Sequence, residues 1–283
     1  MLRSLKVLGF AGLILLASVL PAAAGSIFLT GHDPDFHATL GGNATGAQTI
    51  NTTAIDFVTD PLFNPYFSLP FLFVESNIAT PGGHTVGEDG IVASGYVTGV
   101  DYIAADASTL NTALDGLGIL YSAIVIASDF GGLLTQAELD ILNARSADII
   151  SFLNSGGGLY AMAESNGGAH LTPTGGHFDF LPFIVTSTAF DQSEVGITVT
   201  AYGASLGLSN ADVNGNASHN IFLGAAGMNI VDIDQFGNIL SLATRSQIDE
   251  GGVVSPVPEP ATIGLLGFGI VALGARRRLG RRG

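Results

Sequence analysis

Residues 119–163 read ILYSAIVIASDFGGLLTQAELDILNARSADIISFLNSGGGLYAMA, and the order of periodicities along this stretch decides the fold class. The run from Ile119 to Ala127 is too continuously apolar for a half-exposed strand and predicts one buried on both faces. Ser128 to Leu134 (SDFGGLL) follows as a glycine-containing exit loop. Thr135, with Glu138 three residues on, has the spacing of a capping box, and Leu139, Leu142, Ile149, Ile150 and Leu153 recur at helical intervals, which gives one helix a single buried face. Asn154 to Gly158 (NSGGG) stops that helix, and Leu159 to Ala163 returns as a second strand. Two buried strands joined through a helix are parallel and connected right-handedly. The expected architecture is therefore α/β, three-layered, around a mostly parallel sheet.

Working outward, Ser26 to Thr30 suits a first buried strand, and it runs into Gly31 and the loop HDPDFHATLGGN. A weak helix is expected over Ala47 to Val58 and a strand over Phe71 to Glu75. Past Ile184 the pattern turns to short strands, Ile197 to Tyr202, Asn229 to Ile233 and Ile239 to Ala243, between Gly/Asn/Asp loops. This predicts a more β-rich C-terminal half.

The chain of 283 residues is 47% hydrophobic and only 12% charged, with 39 glycines, a composition of neither a disordered nor a nucleic-acid-binding protein. Of its nine basic residues only Arg145 and Arg245 lie between the two ends, so the central region is strongly acidic. Such a surface repels phosphate backbones and anionic lipid, and favours cations and neutral partners. With no cysteine, disulfides, thiolate catalysis and Cys-ligated zinc are excluded. The single lysine, Lys6, falls in the N-terminal segment, which removes P-loop and Schiff-base chemistry from the rest.

Both ends carry targeting signals. Residues 1–24 pair Arg3 and Lys6 with the apolar run Val7 to Leu20, a Pro21 break and Ala22-Ala23-Ala24, the pattern of a secretory signal peptide cut by signal peptidase. The region 25–252 is then the α/β domain and 253–283 a sorting tail. In that tail Pro258-Glu259-Pro260 precedes an apolar helix, Ala261 to Ala275, and an arginine cluster. Fifteen helical residues reach about 22 Å, so flanking residues must help the segment cross a hydrocarbon core of about 30 Å. The arginines hold the far end on the cytoplasmic side. The combination closely resembles the PEP-CTERM signal of Gram-negative bacteria. That resemblance implies export, membrane attachment through the C-terminal helix, cleavage by exosortase near Pro258-Glu259-Pro260, and an association with extracellular polysaccharide at the cell envelope or surface.

The run from Tyr121 to Ser165 resembles the core of the class I glutamine amidotransferase-like fold, a flavodoxin-like α/β domain. In that superfamily a nucleophilic cysteine sits at the sharp exit of the strand that follows a Gly-rich turn. Aligning Gly156-Gly157-Gly158 with that turn puts Ala163 where the thiol would be, so the resemblance implies the fold without the activity. Ser218-His219-Asn220-Ile221-Phe222-Leu223-Gly224 is similar to a further segment of the superfamily, with Asn220 in place of its proline.

In open parallel sheets ligands bind beyond the carboxyl ends of the strands. Polar clusters sit at three such exits: His32, Asp33, Asp35 and His37; Asp129; and Glu164 with Ser165 and Asn166. His170 and His177 lie on the Gly-rich loop that follows, and His219 in the segment Ser218 to Gly224. Imidazoles and carboxylates together could hold a divalent cation, the one candidate cofactor, or line a polar ligand site. The bland reading is that Asp33-Pro34-Asp35 is turn chemistry and that these side chains brace loop backbones. Gly203-Ala204-Ser205-Leu206-Gly207 fits the nucleophile elbow G-x-S-x-G, but the turn-rich residues after it supply no helix N-terminus. Asn210 to Asn216 begins like an EF-hand loop, yet Ile221 stands where the bidentate Glu is needed. The reading favours a non-catalytic binding or matrix protein, with a metal-dependent hydrolase acting on a glycan or other neutral extracellular substrate as the alternative.

Overall fold

The computed structural model describes residues 25–76, 87–129, 134–163, 171, 180–181, 185–189, 196–216, 218–248 and 254–256. The segments expected to form a signal peptide and a sorting helix, and Glu164, Ser165, Asn166, His170 and His177, lie outside them. Among the described residues no helix is long and apolar enough to cross a membrane.

The structure is a mixed α/β domain whose sheet has a parallel half. Its five strands are β1 (Gly25–Thr30), β2 (Phe71–Val74), β3 (Tyr102–Ala105), β4 (Ala123–Ile126) and β5 (Gly158–Ala161), in the spatial order β3-β2-β4-β5-β1. Every neighbouring pair in that half is parallel. A flavodoxin-like sheet has the order 2-1-3-4-5. Here the order is 3-2-4-5-1, so the chain's first strand lies at one end of the parallel half rather than inside it.

On its other edge β1 pairs antiparallel with the long β10 (Ile239–Ile248), and the sheet continues into β8 (Asn220–Phe222) and β6 (Ser187–Ala189). β9 (Asn229–Ile233) and β11 (Val254–Pro256) also pair with β10, and β7 (Thr198–Val199) pairs with β9. The β-rich C-terminal half expected from the short apolar runs is thus an antiparallel extension of the same sheet.

Alternation along the strands feeds two separate cores, which makes the domain three-layered. Ile27 and Leu29 of β1, with Leu72, Ile124 and Leu159, pack on one face under α5 (Gln136–Ala144) and α6 (Ser146–Asn154). Phe28, Phe73, Val125 and Tyr160 pack on the other face against Ile50, Ala54, Ile55 and Val58 of α2 (Ala44–Thr59) and Ile91 of α3 (Gly87–Ala93).

Three expectations need correction. The first strand of the central unit starts only at Ala123. Gly118, at φ 72°, turns the chain so that Tyr121 bridges back to Leu117, leaving Ile119 and Leu120 exposed. The single long helix is two, broken at Arg145, whose φ of −102° and ψ of 16° leave the helical region. Its guanidinium holds the break by donating to Asp115, Asp148 and Asn111. The apolar spacing runs through because Leu139, Leu142, Ile149 and Leu153 still enter one core. Finally, the strand expected over Ile197 to Tyr202 ends at Val199, where Thr200 caps α7 (Ala201–Ser205) by accepting the Gly203 N–H.

Candidate functional site

The loop leaving β1 distributes four polar side chains to three places. Gly31 leads into His32, which bridges antiparallel to Ser218, and the Gly31 carbonyl accepts the His219 N–H at 2.7 Å. The chain then makes the one-turn α1 (Pro34–His37), with Asp33 at its start. Side chains four apart in a helical turn share a face. Asp33 and His37 accordingly meet, and His219 reaches the same point from the entry to β8.

The geometry there is specific. His37 Nε2 lies 3.2 Å from Asp33 Oδ1, and His219 Nε2 lies 3.3 Å from Asp33 Oδ2. Neither approach is a hydrogen bond, and both Asp33 oxygens are buried without a hydrogen-bond partner. Nor does Asp33 cap the helical turn it begins. Among the described residues these three form the group whose ligand atoms lie within 4.8 Å of one another.

The other expected site residues are engaged elsewhere. His32 Nε2 lies 2.8 Å from Asp232 Oδ2, both side chains being buried. Asp35 turns under the sheet edge, where its Oδ2 accepts the Ser128 N–H at 2.8 Å and the Ser128 hydroxyl at 3.1 Å. Asp129 braces a loop by accepting the Leu171 N–H at 3.2 Å, and its own N–H donates to the Ala163 carbonyl. Glu164 lies outside the described residues. Of His32, Asp33, Asp35, His37, Asp129, Glu164 and His219, the structure brings together Asp33, His37 and His219.

A buried carboxylate that the sequence reading did not single out is Glu75, at the carboxyl end of β2. Its Oε2 accepts the Glu88 N–H at 3.1 Å, while Oε1 is buried without a partner. Burial pushes its carboxyl up to about 8, against the pull of the Glu88 N–H and reinforced by nearby Asp35. Burial likewise raises Asp35 to about 7, with Asp33 adding to it and the Ser128 hydrogen bonds opposing. The signal was present in the sequence, since a lone carboxylate closes the apolar strand FLFVE where strand exits carry function.

The two motifs set aside in the sequence are structural. Ser205 sits in α7 and donates its hydroxyl to the Tyr202 carbonyl at 2.6 Å. In the EF-hand-like stretch, Asn210 Oδ1 accepts from Val199 N, Asp212 accepts from Ser209, and Asn214 Oδ1 accepts from Ile197 N. These acceptors close turns around α8 (Asn210–Val213), and among the described residues they form no converging oxygen cage.

The PEP-CTERM protein-sorting motif matches residues 256–278. The match marks the chain as exported, processed by exosortase and placed at the cell envelope or surface. No curated protein matches the chain.

Proposed function

We propose that the exported domain is a non-catalytic binding module, held in the envelope matrix through association with extracellular polysaccharide. The observation that carries this reading is a polar cluster at the carboxyl edge of a parallel sheet, on an acidic chain that ends in a sorting motif. The edge beside Asp33, His37 and His219 suits a neutral ligand, since the carboxylate excess disfavours anionic ones. The test is retention of the surface form on a neutral glucan matrix against an anionic uronate matrix. Retention on the glucan alone is expected; release from both overturns the reading.

The class I glutamine amidotransferase-like reading belongs to the same proposal, supported by the parallel β4-to-β5 unit and by Ala163 at the β5 exit. Its consequence is that glutamine releases no ammonia above the uncatalysed rate, because Ala163 carries no nucleophile and the chain has no cysteine. A second reading, a metal-dependent hydrolase acting on a glycan, is favoured by the imidazole–carboxylate cluster with His219 partly open to solvent. Zinc-dependent release of new reducing ends from a neutral polysaccharide, lost in Asp33→Asn, would favour it over the binding module.

Processing of the tail gives a further expected outcome. In a host with exosortase the surface form should lack the residues beyond Pro258-Glu259-Pro260, and Glu259→Ala should leave an uncut form in the inner membrane. Intact-mass spectrometry checks this, and Gly283 retained on the surface form would contradict it.

A further inference from the structure

We propose that Asp33, His37 and His219 bind a divalent transition-metal ion of the zinc class. The inference deepens the reading of the same sheet edge as a binding site but does not depend on which glycan, if any, is held there. Three observations carry it. The first is the Asp33 carboxylate, 1% exposed, with neither oxygen hydrogen-bonded and both aimed at imidazole nitrogens. A carboxylate taken out of water needs a hydrogen bond or a cation to balance it.

The second is the tautomer of His37. Its Nδ1 lies 3.1 Å from the Leu40 carbonyl, and a carbonyl only accepts, so Nδ1 carries the proton. In the neutral form of that ring Nε2 turns a lone pair toward Asp33, acceptor facing acceptor, an arrangement that a shared cation reconciles. A backbone carbonyl on the far nitrogen is the outer partner that metal-bound histidines use to fix ring orientation.

The third is spacing. Ligands about 2.1 Å from a tetrahedral zinc stand about 3.4 Å apart. The separations of His37 Nε2 from Asp33 Oδ1 and of His219 Nε2 from Asp33 Oδ2, 3.2 and 3.3 Å, are close to that value, and one ligand atom from each residue lies within 4.8 Å of the other two. Two imidazoles and one carboxylate select zinc-like ions over calcium, which takes six to eight oxygens. His219, with its side chain 24% exposed, sits on the solvent side, where a fourth ligand, water or a substrate oxygen, would enter.

The experiment uses the full chain, or its processed surface form, stripped with chelator and titrated with zinc against a chromogenic competitor. One zinc per chain is expected, with calcium leaving the signal unchanged. His219→Ala, at the partly exposed ligand, should weaken zinc binding by about a hundredfold or more, beyond what loss of an outer partner causes. Asp33→Asn, which keeps the side-chain shape, should do the same, and cobalt in place of zinc should give visible ligand-field bands that both variants lose. Asp148→Ala, at an exposed position of α6, should bind zinc as the unaltered chain does. If Asp33→Asn fails to fold by circular dichroism, His219→Ala decides alone. Absence of stoichiometric zinc on a folded, unaltered chain overturns the proposal, as does full affinity in His219→Ala. Zinc binding with no glucan retention would sink the polysaccharide reading alone, and the converse would sink the metal site alone.

Discussion

Replacing Glu75 with glutamine is expected to remove a large pH dependence from the stability of the domain. In the folded state burial raises the Glu75 carboxyl from 4.5 to about 8, so between those values the folded chain holds a proton that the unfolded chain has released. Stability rises with pH only where the unfolded state binds more protons, and here it binds fewer. The contribution is therefore full below about pH 4.5 and is lost as pH climbs through about 8. Between pH 5 and pH 9 that loss comes to about 4 kcal/mol, at 1.36 kcal/mol per unit. Glutamine keeps an oxygen for the Glu88 N–H and has no proton to lose. Urea midpoints of the two proteins across pH 5 to 9, in chelator, should converge or cross as pH rises, with the variant gaining by about that amount. Parallel curves would show that Glu75 is solvated or ionised throughout.

Legibility from sequence followed the distance over which each feature is encoded. β1, α2, β2 and the β4-to-β5 unit were readable because period and stop signals lie within a few residues of one another. The break at Arg145 was hidden because both helices feed one core, leaving the apolar spacing intact across it. Ile119 and Leu120 mislead because a turn exposes residues that composition alone assigns to a strand. Thr200, an N-cap, ended a strand that the apolar pattern continued.

The site was legible as residues and not as a constellation. Asp33 and His37 are four apart, and their meeting needed only one helical turn. The arrival of His219 depends on pairing Gly31 with a segment far along the chain, which neither spacing nor charge announces. The same holds for His32, which the sequence offers as a ligand and the fold commits to Asp232. The topology rule places these residues at the carboxyl edge of the parallel strands, but the described side chains after β1 diverge there, His32 toward Asp232 and Asp35 toward Ser128.

That long-range pairing yields the second large effect, from Gly31→Ala. Gly31 lies where β1, β8 and β10 come together: its N–H donates to the Leu240 carbonyl at 2.6 Å and its carbonyl accepts the His219 N–H at 2.7 Å. A Cβ at this position would stand 2.0 Å from the Asn220 carbonyl oxygen and 3.3 Å from that of Leu240. Both atoms belong to backbone in the sheet, so no side-chain rotation relieves the overlap and the strands themselves must part. Overpacking of this kind costs about 3 kcal/mol or more, a fall of roughly 6–12 °C in melting temperature for a domain of this size. Because His219 immediately precedes the displaced strand β8 and its N–H bonds to Gly31, zinc affinity should fall with stability, even though Gly31 is no ligand. Gly224→Ala is the control: a Cβ there meets nothing within 4 Å, and its effect should stay within about 0.5 kcal/mol. Differential scanning calorimetry of the two variants separates the cases. A Gly31→Ala protein that melts with the unaltered chain would mean that β1 and β8 do not approach as closely as the site requires.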